Sequence, residues 1–233
     1  MKTKNINILA IDTATEACSA AVLRGSQCFE RYQLAPREHN LLILPMIESV
    51  LEESGLDRSE IDLIAFGQGP GSFTGVRITA GVAQGIAFGA DIPVIGISTL
   101  AAMVYAVTQT PGEIGLSCID ARMGEVYWGA YQLMENGELL SLCDERVCAP
   151  DQIEVPQKGE RVFGVGSGWE TYRDPLLAEM NDLKVEVIDH QFPRASAMAH
   201  LAALEFAKGR AGPPITAQPV YLRNKVAKKP GER

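Results

Sequence analysis

The sequence predicts an α/β protein made of two repeats of one βββαβαβα unit, and three features point to it. Two short apolar runs, 6–11 and 115–119, each end in an aspartate, Asp12 and Asp120. Each run is followed by alternating stretches of strand type. Later in each half an apolar run opens into a glycine-rich turn and then a helical pattern. The turns are Gly67-Gln68-Gly69-Pro70-Gly71 and Gly164-Val165-Gly166-Ser167-Gly168. Signals recurring in the same order are the mark of internal duplication.

In the first half, 17–23 and 28–34 form a hairpin that turns at Arg24-Gly25-Ser26. Residues 38–54 read as a helix stopped by Gly55, with Pro45 either bending it or marking its true start. A buried-type strand covers 61–66, a second helix 73–90 and another strand 93–97. Ser98 caps a third helix to about residue 109. The second half repeats the order with strands at 115–119, 126–133 and 139–147, turning at Asn136-Gly137. Then come a strand at 161–164, a helix at 169–180, a strand at 185–188 and a helix at 196–208. Two such lobes facing a common cleft are the duplicated, RNase H-like architecture of actin, Hsp70 and sugar kinases. The expected division is an N-terminal lobe 1–105, a C-terminal lobe 106–195 and an extension 209–233. Helix 196–208 belongs either to the second lobe or back on the first.

Composition narrows the function. With 233 residues, 46% hydrophobic, the chain can bury a proper core. A formal net charge of −8 argues against a general nucleic-acid coat. Every apolar run breaks well short of 18 residues, so no membrane span is expected. The first residues carry no signal-peptide cleavage pattern, which makes the cytoplasm the expected compartment. Five cysteines without CxxC spacing read as buried thiols. His39, His190 and His200 lie far apart, and no metal site is expected.

A kinase-like cleft would need an aspartate at each strand end to organise metal-bound water, then a glycine beside the phosphate. Here Asp12-Thr13-Ala14-Thr15 has Ala where Gly would help, and Asp120-Ala121-Arg122-Met123 has Arg. Arg122 would fill or neutralise the phosphate site, and both aspartates also suit the capping of turns. The turn at 67–72 could cradle an anion at a helix N-terminus or simply be tight. It is neither a P-loop nor a dinucleotide fingerprint. An ATP-dependent phosphotransferase using Asp12 and Asp120, or a peptidase acting on its own partner, are the enzyme alternatives.

Two helices point instead to a partner. Gly81, Gly85 and Gly89 recur every four residues, and Gly81 and Gly85 together cost the helix about 2 kcal/mol. Close backbone packing tolerates that, against the lobe's own elements or against another subunit. Ile78, Val82 and Ile86 are expected to face the sheet, leaving the small residues of the other faces free. The first helix is apolar nearly all round through Leu41, Leu42, Ile43, Leu44, Met46 and Ile47, more than one sheet-facing stripe requires. The expected interface comprises His39, Leu42, Met46, Val76, Arg77, Ala80, Gly81, Ala83 and Gly85. His39 reads as a capping or interface residue, and Arg77 as an interface or surface charge. The basic stretch 223–233 is either a solvated tail or a contact to RNA phosphates.

The chain resembles the TsaB (formerly YeaZ) family. The carriers are Ile11-Asp12-Thr13-Ala14-Thr15, Gly67-Gln68-Gly69-Pro70-Gly71-Ser72-Phe73-Thr74-Gly75-Val76-Arg77, Asp120-Ala121-Arg122-Met123-Gly124-Glu125-Val126-Tyr127 and Pro219-Val220-Tyr221-Leu222-Arg223. The resemblance implies an actin-like protein without catalysis of its own. Such proteins pair with the paralogue TsaD through the first two helices and form a homodimer when alone. With the ATPase TsaE they support threonylcarbamoylation of adenosine 37 in tRNAs reading codons that begin with A. ATP and a metal ion are then held by the partners. The paralogue's two metal-binding histidines follow the strand matching 93–97, where this chain reads Ser98-Thr99-Leu100-Ala101-Ala102-Met103.

Overall fold

A computed structural model describes residues 6–156, 161–181 and 183–223. The first lobe opens with a meander of β1 (Asn7–Asp12), β2 (Ala17–Arg24) and β3 (Gln27–Leu34). Next come α1 (His39–Ser54), β4 (Leu63–Gly69), α2 (Phe73–Ala90), β5 (Val94–Ser98) and α3 (Thr99–Val107). The strands lie in the order β3-β2-β1-β4-β5, the meander antiparallel and β1, β4 and β5 parallel. Local chemistry sets the boundaries. Gly55 ends α1 in the left-handed conformation, where a side chain is disfavoured. Ser72 and Ser98 cap α2 and α3 through their hydroxyls. Pro45 lies within α1, which starts at His39.

The second lobe contains β6 (Ile114–Arg122), β7 (Glu125–Leu133), β8 (Leu139–Ser141), β9 (Arg146–Cys148), β10 (Val162–Val165), α4 (Ser167–Thr171), α5 (Arg173–Glu179) and β11 (Val185–Ile188). Its sheet runs β8-β7-β6-β10-β11, the same permutation and strand senses as the first. The fold is therefore the duplicated actin-like one, with the second copy reduced. Where the first repeat has α1, the described residues hold only a 3-10 turn at Pro150–Gln152, which corrects the expectation of two equal βββαβαβα units. The single helix expected at 169–180 is two pieces hinged at Tyr172. Pro175 explains the break, because it has no N–H for the Thr171 carbonyl and its ring crowds that oxygen.

The last helix, α6 (Ala195–Ala207), packs on the first lobe. Ala195, Met198, Ala199 and Ala202 bury against Ile8, Ala10, Leu63 and Ala65 on one face of that sheet. Helices α1 and α2 cover the other face, against Leu9, Ile11, Val22, Ile64 and Phe66. Successive β1 residues thus enter opposite cores, which is why the strand is apolar throughout. Helix α3 packs mainly on the second sheet, joining Leu100, Met103 and Val104 to Ile119, Tyr131 and Val165. A Cβ at Gly115 would lie 2.4 Å from a Val104 methyl, so the helix sits directly on β6. Each repeat's final helix therefore covers the other repeat's sheet. Glu145 adds a polar tie at the joint, accepting hydrogen bonds from Ser98 and Tyr131.

Helix α2 is rotated on its sheet relative to the sequence reading, with Ile78, Val82 and Ile86 at the flank of the core instead of its centre. Val76, Thr79, Ala80, Ala83 and Ala87 face inward and are buried, while Ile78, Val82 and Ile86 are only partly covered. Positions 76, 80, 83 and 87 share one helical face, and small side chains there let the helix lie close to the strands. The glycine ridge points outward, where a Cβ at Gly81, Gly85 or Gly89 would meet nothing within 4 Å.

That contrast yields a stability test within one helix. Gly81→Ala and Gly85→Ala should each stabilise the isolated chain by up to about 1 kcal/mol, since alanine favours the helix and meets no obstacle. Gly75→Ala should destabilise it by roughly 2–4 kcal/mol through overpacking and backbone shift, its Cβ falling 2.0 Å from the Thr13 carbonyl oxygen. Urea unfolding of the three variants checks this, and a destabilised Gly85→Ala monomer would contradict the open ridge.

Candidate functional site

The loop after β1 and the start of α2 are pressed together. A Cβ at Gly67 would sit 1.8 Å from Asp12 Oδ1, and one at Gly71 2.3 Å from the Ala14 carbonyl oxygen. The glycines thus make room for the loop. Its donors are spent internally: the Thr13 N–H donates to Thr79 Oγ1 (2.9 Å) and the Ala14 N–H to Asp12 Oδ2 (3.2 Å). The Thr13 hydroxyl bonds to the Gly75 carbonyl at 2.7 Å, and the Ser72 N–H donates to the Ala14 carbonyl at 2.7 Å. The 67–72 turn is thereby a tight junction.

Asp12 is wholly enclosed and does not line the cleft between the lobes. Its Oδ1 has no hydrogen-bond partner. Burial pushes its pKa up to about 7, partly offset by the backbone N–H groups of Ala14 and Thr13. Asp120, at the matching strand end, is answered by Arg122. The Arg122 N–H donates to Asp120 Oδ1 at 2.8 Å and its guanidinium to Oδ2 at 2.9 Å. A nucleotide phosphate with its metal needs two ionised, accessible aspartates. One here is sealed from the cleft, where burial opposes its ionisation, and the other is paired with an arginine, so these residues do not fit that group. Among the described residues, no three His, Cys, Asp or Glu side chains converge on a common point.

The cleft itself has a volume of about 1420 Å³. Arg37, His39 and the first turn of α2 form one wall, and the 119–123 hairpin forms the other. Its rim carries a segment that sequence reasoning did not place. The Val220 N–H donates to the Gln68 carbonyl (2.7 Å), and Arg77 Nε donates to the Tyr221 hydroxyl (2.8 Å). Arg223 pairs with Glu125 and reaches the Arg122 carbonyl at 3.3 Å. Residues 217–223 therefore strap one lobe to the other. Nothing local forecasts this, since the contacts span 98 to 152 positions. The rest of the basic tail, 224–233, lies outside the described residues.

The residues expected at an interface divide into two groups. His39 is largely buried on the cleft wall, while Met46, Val76, Ala80 and Ala83 are buried inside the protomer, which corrects the assignment of these four to a docking surface. They occupy the sheet-facing stripes of the two helices. Leu42 is partly buried against the same core. Gly81, Gly85 and Arg77 are exposed. The outward apolar groups are Leu41 and Leu44, which belong to the all-round apolar pattern of the first helix, together with Phe73 and Phe88, which sequence reasoning missed; each is more than half exposed. Their spacing was a usable signal, because 41 and 44, and 81, 85 and 88, each share a helical face.

A family model described as TsaD, tRNA N6-adenosine threonylcarbamoyltransferase, matches residues 32–218. The tRNA threonylcarbamoyladenosine biosynthesis protein TsaB of Escherichia coli K12 is 43% identical over 97% of this chain and 100% of its own. The chain belongs to the TsaB family. The Haemophilus influenzae TsaB protein is 40% identical, with 96% of each chain covered. Among solved structures, YeaZ from Pseudomonas aeruginosa superposes with a TM-score of 0.85 at 39% identity, covering 93% of this chain and all of that one. In this TsaB-family member no helix of the described residues is long and apolar enough to cross a membrane.

The enclosed carboxyl of Asp12 makes a pH prediction. An unfolded chain loses this proton near pH 4, and the folded one near 7. Between those values the native state holds more protons, so this group lowers stability as pH rises. The full effect is on the order of 4 kcal/mol. Asp12→Asn should match the parent near pH 4 and exceed its stability above pH 8. Urea midpoints across pH check this, and a pH-independent difference between the two proteins would refute the burial argument.

Proposed function

We propose that the chain is a non-catalytic activating subunit for threonylcarbamoylation of adenosine 37 in tRNAs reading codons that begin with A. It pairs with TsaD, works with TsaE and forms a homodimer when alone, in the cytoplasm. ATP and metal are supplied by those partners. The pathway is supported by the names of the two relatives, and the non-catalytic role by the cleft, whose two aspartates are sealed or neutralised.

The observation that carries the reading is the outward side of α1 and α2. Both helices cover the same face of the first sheet, so their outer sides look the same way. Leu41 and Leu44 stand exposed on one helix, Phe88 and the open glycine ridge on the other. Bare glycines let a second backbone approach closely along the ridge, and the flanking Leu and Phe supply apolar area. Such a face favours protein contact over solvent.

Reconstituted tRNA modification tests this. Omitting the chain should abolish product. Leu44→Asp and Phe88→Asp should end coelution with TsaD and reduce modification at least tenfold while leaving the fold intact. The double variant Asp12→Asn, Asp120→Asn should keep most activity. Full modification without the chain, or its loss in the double variant alone, would defeat the proposal.

A further inference from the structure

We propose that the cleft rim beside α2 contacts an unpaired stretch of RNA directly, stacking bases on Phe73 and Tyr221 and holding phosphates with Arg37 and Arg77. The inference rests on the tRNA-modifying role above and assigns this chain a binding surface for the nucleic acid itself. The two rings lie 6.1 Å apart and tilted by 37°, each about half exposed. The Arg77 guanidinium covers the Phe73 ring at 3.5 Å from its centroid and lies 5.7 Å from that of Tyr221. Its Nε bond to the Tyr221 hydroxyl fixes this orientation and leaves the two terminal amino groups for a ligand. Rings interleaved with guanidinium groups are what single-stranded nucleic acid uses, because every base offers a flat face and every linkage a charge.

The electrostatics favour a polyanion. Arg37 and Arg77 both line the cleft, and neither has a carboxylate partner among the described residues. Arg37 is held there in the left-handed backbone region, at φ 73°, which an unbranched side chain adopts only at some strain. On the facing wall Asp120 and Glu125 are already paired, with Arg122 and Arg223. The N–H groups of Phe73 and Thr74, first in α2, have no intrahelical acceptor and add partial positive charge to the same rim. Glu16 is the acid on this rim that opposes binding. A protein partner would instead favour a rim core depleted of unpaired charge.

Fluorescence anisotropy of a labelled anticodon stem–loop RNA with the full chain, in low salt, tests the proposal. Phe73→Ala and Arg77→Ala should each weaken binding roughly tenfold. Arg77→Ala should also reduce the salt slope by about one. Phe73→Trp should retain affinity, and Glu16→Gln should increase it. Absence of binding by the parent chain would overturn the proposal, as would equal affinity for a fully duplexed RNA. So would Phe73→Ala that keeps RNA affinity but loses TsaD, since the rim would then be a protein contact. Displacement of the RNA by AMP or inorganic phosphate at equal concentration would also overturn it, by marking a small-anion pocket. The two readings fail separately: a chain dispensable for modification that still binds RNA through Phe73 retires the subunit role only.

Discussion

Much of this molecule follows from one close approach. The chain leaving β1 at Asp12 meets the first turn of α2 at distances that tolerate no side chain at 67, 71 or 75. The Thr13 backbone and hydroxyl and the Ala14 backbone then bond to the turn and to α2, which ties the loop down. The same contact encloses the Asp12 carboxyl and raises its pKa. The end of β1 is a packing junction. Its aspartate now occupies the space left by a missing glycine side chain, beside the Met198 methyl of α6.

The outer surface of α2 follows from how closely the helix is seated on its sheet. Helix α2 lies low on its sheet because its inward face is built from Ala80, Ala83 and Ala87. That orientation leaves Gly81, Gly85 and Gly89 on the side away from the core. Glycine there gains nothing for the protomer and weakens the helix, so its use has to be sought outside the protomer.

Duplication was legible because it depends on local punctuation: an aspartate at each first strand end and a glycine turn before the same helix. The Ser98 cap and the Gly55 stop were legible for the same reason. The orientation of α2 was not, because hydrophobicity ranks isoleucine above alanine, whereas a closely seated helix selects for small volume. Pro175 stood in the sequence as a break inside the expected 169–180 helix, and periodicity alone overlooked it. The reduced second repeat was hidden because 142–156 carries apolar residues without a clear period. Tyr221 and Arg223 gain their roles across the length of the chain, and no window of neighbours contains that information. At the candidate site, Arg122 against Asp120 could be anticipated from type and spacing. The sealing of Asp12 could not, since it depends on how near two backbones come.

The exchange of final helices has a consequence for biosynthesis. One side of the first sheet is covered by a helix that begins at Ala195. While the chain is being made, strands β1, β2, β4 and β5 therefore wait with an oily flank uncovered until nearly the whole protein has left the ribosome. The N-terminal half is not a self-sufficient folding unit, and a truncation near residue 105 would expose that flank permanently. Apolar surface left open in this way favours aggregation, so docking of α6 is the step that shields this flank.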